Sequence, residues 1–396
     1  MKTANLTITT RKTVEDLPKV KRFLESVGRN SVSSQQTYFT GLLYLQNFLG
    51  KNYPSHSVET ILSLLNERKV DLYELLDDFV SYLASFAFSV STVKLYMAGI
   101  RSYLAYYDID IIPSKFKRKV KMPRHYREDE EPLDASDIRK ILLACNNRRL
   151  KPYLLTLGSG GFRANEALAI RLKDIDFTCS PTKIHVRKEY AKTKVAREVY
   201  ISDEATLYLK KWIEWKYRDK SKEGAQRFKT LVRNEEDLVF TTHITRNTMT
   251  LYPKVLKEFE KLLDTSGFSK RKEEGKQKRR KITLHSFRRF VKTVITDESS
   301  SDYSEWFLGH SKSPYYTKKE PERRQIYASK CMKYLTFLDY SALEATGKSI
   351  EAKLKEKDSE MQAMRMKYEQ DMQKMREEME SRFQQILAKI NVANLK

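Results

Sequence analysis

Two histidines, an arginine and a pair of tyrosines lie close together in the last third of the chain. His285 and Arg288 are three positions apart, a spacing that places two side chains on one face of a helix. His310 follows, and then come Tyr315 and Tyr316. These residue types can supply a cation for a phosphate group, proton-transfer groups and a phenolic nucleophile. The pattern therefore indicates a pocket that handles phosphoryl groups.

The chemistry that suits such a set is direct attack on a phosphodiester. This reaction needs a nucleophile, positive charge near the non-bridging oxygens, and a proton for the leaving oxygen. Arginine offers a planar, permanently charged fork for the oxygens. A lysine can donate the proton, and a tyrosine can attack and hold the phosphate covalently, which conserves the bond for a second transfer. Neither a metal ion nor ATP is required.

Composition agrees with a nucleic-acid partner. The chain has 396 residues, of which 40% are hydrophobic, and this is enough for two or three domains with real cores. The net charge of +23 predicts attraction to a polyanion, usually nucleic acid. Cys145, Cys179 and Cys331 show no zinc or disulfide spacing, and no stretch is apolar for about 18 residues. We therefore expect a soluble cytoplasmic protein associated with nucleic acid, with no membrane contact.

The first third of the chain is predicted to be helical. Residues 1–17 have the composition of a polar arm, and residues 18–112 carry apolar side chains at helical spacing. One such stripe consists of Leu72, Leu75, Leu76, Phe79 and Leu83. This segment is interpreted as a compact helical domain. Residues 113–132, rich in lysine, arginine and proline, are predicted to be a basic linker that contacts DNA or is a solvated charge run.

Residues 133–340 are predicted to form a second domain with one β-hairpin. Helical patterns surround the cluster Gly158–Gly161, which is interpreted as a tight turn between helices. Alternating apolar residues around Ile184 and again around Val199 predict two strands joined by a turn. Lys192 and Lys194 lie near the tip of this hairpin.

Residues 341–396 have a different pattern and are predicted to form a coiled-coil tail. The apolar positions follow steps of three and four that repeat every eleven residues; they are Met361, Met364, Tyr368, Met372, Met375, Met379, Phe383, Ile386 and Ile390. Eleven residues in three turns give a nearly straight or slightly right-handed coiled coil. The alternative is a single helix that folds back on the body, since methionine packs adaptably but specifies poorly.

Four ordered motifs resemble those of the tyrosine recombinases, the phage-integrase family. Gly161–Asp176 is similar to the first arginine box, Ala191–Ser202 to the hairpin with its lysine, and Leu284–Arg288 and Leu308–His310 to the second box. The helical domain before them resembles the family's core-binding domain. The paired tyrosines in Ser313–Lys319 are most similar to archaeal-type integrases.

The resemblance implies roles for the matching residues. Arg163 and Arg288 would clamp the scissile phosphate, and Glu166 would support them. Lys192 would be the general acid, with Lys194 as the alternative, because lysines at a hairpin tip are also ordinary solvated residues.

His285 and His310 complete the set of polar groups that the resemblance implies. His285 would assist proton transfer or bind the phosphate, and His310 would donate another hydrogen bond to it. Either could instead be a core histidine. A metal site is not expected, because no cysteines or acidic residues cluster near them.

The nucleophile departs from the family pattern. The family usually places its tyrosine about nine residues after the histidine of the Leu-Gly-His motif, and here Lys319 occupies that position. Tyr316 is the preferred candidate and Tyr315 the alternative. Tyr327 lies on an apolar helical stripe and is interpreted as a core residue.

The resemblance implies a mainly α (α+β) fold: an all-helical, SAM-like core-binding domain, then a helical catalytic domain with a small antiparallel sheet. It also implies the integrase of a mobile element, a site-specific recombinase that cuts and rejoins double-stranded DNA through a 3′-phosphotyrosyl intermediate, without cofactors, as a tetramer on DNA. The alternatives are DNA relaxation of the type IB topoisomerase kind and a non-catalytic DNA-binding scaffold.

Overall fold

The computed structural model describes residues 8–124, 132–219, 231–242, 247–271, 280–310, 313–338 and 340–393. The backbone forms two compact units, residues 1–131 with 270–281 and residues 132–269 with 282–396. The predicted fold class, mainly helical with a small antiparallel sheet, is confirmed. Of the described helices, none is long and apolar enough to cross a membrane.

The described part of the first unit is a bundle of helices. They are α1 (Ile8–Glu15), α2 (Pro18–Gly28), α3 (Val32–Asn52), α4 (Thr60–Asn66), α5 (Leu72–Ala84), α6 (Val90–Tyr106) and α7 (Pro113–Lys119). Helices α3, α5 and α6 each begin at a residue whose side chain accepts a hydrogen bond from the first turn: Ser31, Asp71 and Ser89. Such caps satisfy backbone donors that the helix leaves unpaired. The predicted α5 stripe is buried at Leu75, Leu76, Phe79 and Leu83.

Two segments of this unit are more ordered than the sequence predicts. Residues 8–15 of the expected polar arm are helical, because Val14, only 1% exposed, packs into the core. The expected linker begins as helix α7, since Pro113 occupies the first turn, where proline is tolerated. Val120 is buried, and the Lys121 backbone N–H donates to Asp77 at 2.8 Å. Residues 125–131 of the predicted linker lie outside the described part.

The second unit contains the remaining elements. Before the sheet lie α8 (Ala135–Ala144), α9 (Leu150–Gly160) and α10 (Ala164–Leu168), and after it lie α11 (Asp203–Lys216), α12 (Leu251–Thr265), α13 (Leu284–Glu298), α14 (Ser301–Phe307), α15 (Glu320–Ile326) and α16 (Tyr340–Ala393). Short 3-10 turns occur at Leu172–Asp174, Thr248–Thr250, Pro314–Thr317 and Met332–Leu335, and a π-helical turn at Tyr327–Cys331.

The sheet has three antiparallel strands in the order β1 (Ile175–Asp176), β2 (Lys183–Val186) and β3 (Arg197–Tyr200). Ile184 pairs with Val199 and His185 with Glu198, so the alternating pattern produces the predicted hairpin. Strand β2 ends at Val186, and strand β3 begins only at Arg197. A long loop therefore carries Lys192 and Lys194.

Helix α9 forms the centre of the second core, since all its residues beyond Lys151 are buried. It continues through the glycines that were predicted to form a turn, and that prediction is wrong for Gly158–Gly160. A Cβ on Gly158 would lie 3.0 Å from the Phe337 ring, so close packing explains the glycine. Only Gly161, with φ of +61°, turns the chain.

The tail forms one helix, α16. Every side chain from Leu354 to Ser381 is exposed, which leaves the predicted coiled coil without a partner in a single chain.

Candidate active site

Arg288 is a buried residue of the predicted site. Thr283 caps helix α13, with its backbone N–H donating to the Ser286 hydroxyl at 3.0 Å. This start places His285 on the exposed side of the first turn and buries Arg288 to 4% exposure. The guanidinium donates through Nη1 to the Gly161 carbonyl at 2.6 Å and through Nη2 to the Leu308 carbonyl at 2.5 Å.

Burial and the neighbouring Arg163 lower the pKa of Arg288 to about 9, so the group is cationic at neutral pH. A buried guanidinium with fixed carbonyl partners cannot swing to another position. Arg288 is therefore a rigid positive charge at the point where α9, α13 and the turn after α14 meet.

Arg163 stands at the start of α10 rather than inside its first turn. Its backbone N–H donates to Glu166 Oε2 at 3.0 Å, and its Nη1 donates to Glu166 Oε1 at 2.6 Å. This pairing caps the short helix and holds the arginine side chain, which is 23% exposed. Part of the guanidinium surface thus remains open to a ligand.

Glu166 is buried and is shared by three arginines. Besides Arg163, it accepts a hydrogen bond from Arg197 Nη2 at 2.8 Å and lies 4.0 Å from Arg288 Nη1. Burial opposes ionisation of Glu166, but Arg197 and Arg163 outweigh it, so the pKa falls below the ordinary value of 4.5. The carboxylate is ionised at neutral pH and fixes the spacing of the cations.

Arg197 was missed in the sequence. Its side chain is fully buried, and its Nε donates to the Phe307 carbonyl at 3.1 Å. It lies against Gly309, where an added Cβ would be 2.7 Å from Nη1. The sequence contained a signal: Arg197 has the same strand parity as Val199 and Ile201, so it points to the buried face of β3. A charge on that face needs a buried partner.

The hairpin loop carries two exposed lysines to this region. Thr193, between Lys192 and Lys194, donates its hydroxyl to the Gly309 carbonyl at 3.1 Å. Lys194 has a positive φ of 57°, which turns the loop back toward β3. Both lysines therefore flank a residue that contacts the Leu308–His310 turn. This contact does not distinguish between them, so Lys192 and Lys194 both stay candidates for the general acid.

His310 is held by a carboxylate. Its backbone N–H donates to the Glu305 carbonyl at 2.8 Å, and its Nδ1 contacts the Glu305 carboxylate. Lys292 Nζ lies 2.8 Å from the same carboxylate. The hydrogen bond from Lys292, together with His310, lowers the pKa of Glu305. Glu305 was also missed, because its link to Lys292 joins two helices.

The two candidate nucleophiles occupy the 3-10 turn Pro314–Thr317. The Ser313 hydroxyl accepts from the Tyr315 N–H at 3.2 Å and donates to the Asp302 carbonyl at 2.6 Å. Tyr315 packs its ring edge-on against Tyr303, with 5.2 Å between centroids. Lys318 lies over the same ring.

Tyr316 presents a different environment. Its hydroxyl is buried and has no hydrogen-bond partner among the described residues. Burial raises the pKa of this hydroxyl, and the positive charges of Arg197 and Arg323 oppose that rise. An enclosed phenol near the cluster of arginines is a candidate for attack on a phosphate that the arginines bind.

Tyr327 is a core residue, as its helical stripe predicted. It is fully buried, donates its hydroxyl to the Ser159 carbonyl at 3.0 Å, and stacks on Phe307 with 5.4 Å between ring centroids.

The structure thus joins several predicted residues by direct contacts. Arg163, Glu166 and Arg288 share one cluster with Arg197, and the turn that ends at His310 packs against it. No group of three or more His, Cys, Asp or Glu that could hold a metal ion occurs in the described ranges.

Comparison with known proteins agrees with the motifs. Residues 131–319 match the phage integrase family. Tyrosine recombinase XerA of Saccharolobus solfataricus is 31% identical over 125 residues, which cover 32% of this chain and 39% of that relative. Transposase A from transposon Tn554 of Staphylococcus aureus is 24% identical over 110 residues, which cover 26% of this chain and 30% of that relative. The chain thus spans less than half the length of either relative.

A solved structure of a lambda integrase dimer bound to a COC′ core site is also similar. It aligns over 78% of this chain and 75% of that chain, with 14% sequence identity and a TM-score of 0.49. Slightly less than half of the chain, residues 131–319, is thus similar to the phage integrase family, and the four motifs that resemble the tyrosine recombinases lie within this range.

Proposed function

We propose that the chain is a site-specific DNA recombinase, the integrase of a mobile element, which acts on double-stranded DNA in the cytoplasm. The observation that carries this proposal is the cluster in which Arg163 and Arg288 share the buried carboxylate of Glu166. DNA binding alone is served by exposed cations. A preorganised pair of arginines on an anionic support is what a phosphoryl transition state requires.

In the proposed reaction, the hydroxyl oxygen of Tyr316 attacks a backbone phosphorus of DNA. A Tyr316–phosphorus bond forms, and the bond between phosphorus and the 5′-oxygen breaks. Lys192 gives a proton to that oxygen, and His285 takes the phenolic proton, after which its ring can donate a hydrogen bond to the phosphate. The 5′-hydroxyl of a partner strand then reverses the reaction and releases the tyrosine.

The oxygens of the transferred phosphate would be bound by the cations described above. Arg163 retains exposed guanidinium surface, and Arg288 adds a fixed charge beside it. His310 would face the phosphate with its Nε2, since Nδ1 contacts Glu305; a hydrogen bond donated from Nε2 requires both ring nitrogens to carry a proton. Neither a metal ion nor ATP takes part in this scheme.

We propose that each segment of the chain has the function that the sequence predicts for it. Residues 18–112 would bind the duplex as a core-binding domain, residues 113–132 would follow its backbone, and residues 133–340 would carry out catalysis. A charge of +23 supports attraction to DNA. The active assembly would be a tetramer on two duplexes, with further contacts through the tail 341–396.

A covalent-trapping experiment tests the nucleophile. The protein is incubated with a pool of nicked duplexes of random sequence, denatured with detergent and digested, and the DNA-linked peptide is identified by mass spectrometry. We expect a phosphotyrosyl peptide that contains Tyr316, no adduct from Tyr316→Phe, and a retained adduct from Tyr315→Phe. Absence of any adduct from the wild type would reject the recombinase. An undiminished adduct from Tyr316→Phe would reject the assignment.

A further inference from the structure

The tail helix α16 exposes an apolar stripe along one side. Its members are Met361, Met364, Tyr368, Met372, Met375 and Met379, which are 38–74% exposed. Their spacing of three and four residues keeps them on one face of the helix. A long helix without tertiary packing is weakly stabilised in water, and a contiguous exposed apolar surface marks an interaction site.

The stripe is bordered by charges of opposite sign on its two edges. Glu360 directly precedes Met361, and Asp371 directly precedes Met372; both carboxylates lie along one edge of the stripe. Arg365 directly follows Met364, and Arg376 directly follows Met375; both arginines lie along the other edge. Within the described part of the chain, none of these four residues forms an ion pair, and all are exposed.

We propose that the tails of two copies of this chain pair as a parallel, in-register, two-stranded coiled coil. In a parallel pair, opposite edges of the two stripes meet, and a residue on one edge faces the residue five positions later on the partner helix. Glu360 then faces Arg365 of the second copy, and Asp371 faces Arg376 of the second copy. The symmetry of the pair doubles these contacts to four.

The antiparallel arrangement is disfavoured by the same charges. Reversing one helix brings like edges together, so that arginines face arginines and carboxylates face carboxylates. Like charges at these flanking positions oppose association. Because the pattern is complementary to itself, a second copy of this chain fits it without any other protein.

The tail is also separate from the positively charged body. Residues 350–396 contain ten lysines and arginines against nine aspartates and glutamates. This near-neutral balance, with both signs on ordered edges, suits helix pairing and contributes little attraction to DNA. The proposal concerns assembly and is independent of the strand-cleavage chemistry.

The mass of the full chain in solution tests whether two tails pair through this apolar stripe. Light scattering should give about twice the chain mass of 46.6 kDa or a higher even multiple. The double variant Met364→Glu/Met375→Glu should return the chain to the monomer, whereas Met366→Glu, on the opposite face, should not. A monomeric wild type, or a dimer that persists in the double variant, overturns the proposal.

Cysteine cross-linking tests the direction. Met361→Cys should form a disulfide-linked dimer under mild oxidation, because the two copies of position 361 face each other in a parallel pair. In an antiparallel pair in which the two stripes Met361–Met379 overlap fully, they are about 27 Å apart. Met366→Cys and the wild type are the controls and should not cross-link. A dimer without the 361 cross-link overturns the parallel arrangement.

A charge exchange tests the proposed ion pairs. Arg365→Glu/Arg376→Glu should raise the dissociation constant of the dimer about tenfold or more. Adding Glu360→Arg/Asp371→Arg to the same chain should restore it. An unchanged dissociation constant in the first variant contradicts the pairing. None of these measurements involves DNA cleavage, so their failure and that of the recombinase proposal are distinguishable.

Discussion

At the scale of single residues, the carboxylate of Glu166 organises the candidate site. It receives hydrogen bonds from Arg163 and Arg197 and lies near Arg288. Three cations without it would repel one another in a place that water scarcely reaches. Glu166 thus stabilises the fold and sets the distance between the groups proposed to bind phosphate.

Replacing Glu166 with glutamine should destabilise the second unit in a pH-dependent way. The lowered pKa of Glu166 means that its contribution is fully present above about pH 4.5 and is lost as the pH falls through the folded-state pKa. We expect Glu166→Gln to cost about 3 kcal/mol at pH 7 and much less in strong acid. Urea unfolding, followed by the fluorescence of Trp212, Trp215 and Trp306, measures the difference.

Glu258→Gln is the matched control for that change. Glu258 also pairs with an arginine, Arg149, but it is 34% exposed. We expect a cost of less than about 1 kcal/mol, because exposed pairs contribute little. A Glu166→Gln difference that is equally large at pH 7 and in strong acid would show that its charge is not the cause.

The two loop lysines can be separated by changing the leaving group. If Lys192 protonates the 5′-oxygen, Lys192→Met should slow cleavage about 100-fold or more. Sulfur in place of that bridging oxygen should restore the rate, because a thiolate leaves without a proton. Gel quantification of the covalent adduct measures both rates. Lys194→Met should cleave both substrates normally, and a sulfur rescue of Lys194→Met instead would exchange the two roles.

At the scale of elements, the turn Leu308–His310 is the junction of the site. Arg288 donates a hydrogen bond to the Leu308 carbonyl, and Thr193 donates one to the Gly309 carbonyl. The backbone N–H of His310 donates to the Glu305 carbonyl. Helix α13, the hairpin loop and helix α14 therefore meet on three consecutive residues. Gly309 adopts a φ of +77°, a backbone conformation that residues other than glycine rarely adopt.

Gly309→Ala should be more harmful than the same change at an open glycine. The added Cβ would lie 2.7 Å from Arg197 Nη1, and this buried guanidinium is held by hydrogen bonds to Phe307 and Glu166. Gly267, with a φ of +84° and no atom within 4 Å of its Cβ, isolates the backbone strain. Strain alone costs about 1–2 kcal/mol, and we expect the clash to add about 1–3 kcal/mol.

Urea unfolding of both alanine variants and adduct formation measure these effects. Gly309→Ala should also lose most covalent adduct, whereas Gly267→Ala should keep it. Equal losses of stability in the two variants would mean that the contact with Arg197 is easily relieved.

The periodic spacing of apolar residues was sufficient to predict elements whose pattern is contained in one short stretch of sequence. The α5 stripe, the hairpin and the apolar helix face that carries Tyr327 could each be recognised from residues close together in the chain. Gly158–Gly160 was misinterpreted because the helical preference of glycine is weak, and packing against Phe337 overrides it. That phenylalanine lies far outside any local window.

The sequence predicted which residues belong to the candidate site better than it predicted the hydrogen bonds that hold them. The motif resemblance supplied Arg163 and Arg288, but the hydrogen bonds that fix them run to residues far along the chain. Arg197 and Glu305 were missed because they act on other protein groups, and such roles depend on contacts in space. Whether Tyr316 is the nucleophile stays a prediction.

At the scale of the whole molecule, charge is divided between body and tail. The chain carries +23, and the tail from residue 350 accounts for only one unit of it. Salt should therefore weaken attraction between body and DNA more than it weakens tail pairing, which depends mainly on apolar contact. In a parallel pair, both tails would also leave their bodies at the same end, which brings two catalytic units together before any DNA is bound.

The hydrogen bond from Arg288 to the Gly161 carbonyl spans 127 positions of the chain. Contacts of such long range form after the intervening chain has been closed into place. During synthesis, residues up to 280 can fold their local helices and the hairpin while Glu166 still lacks Arg288. A nascent or truncated chain would therefore bind anions through its exposed cations but remain chemically silent. The proposed cleavage of DNA would become possible only with the last steps of folding.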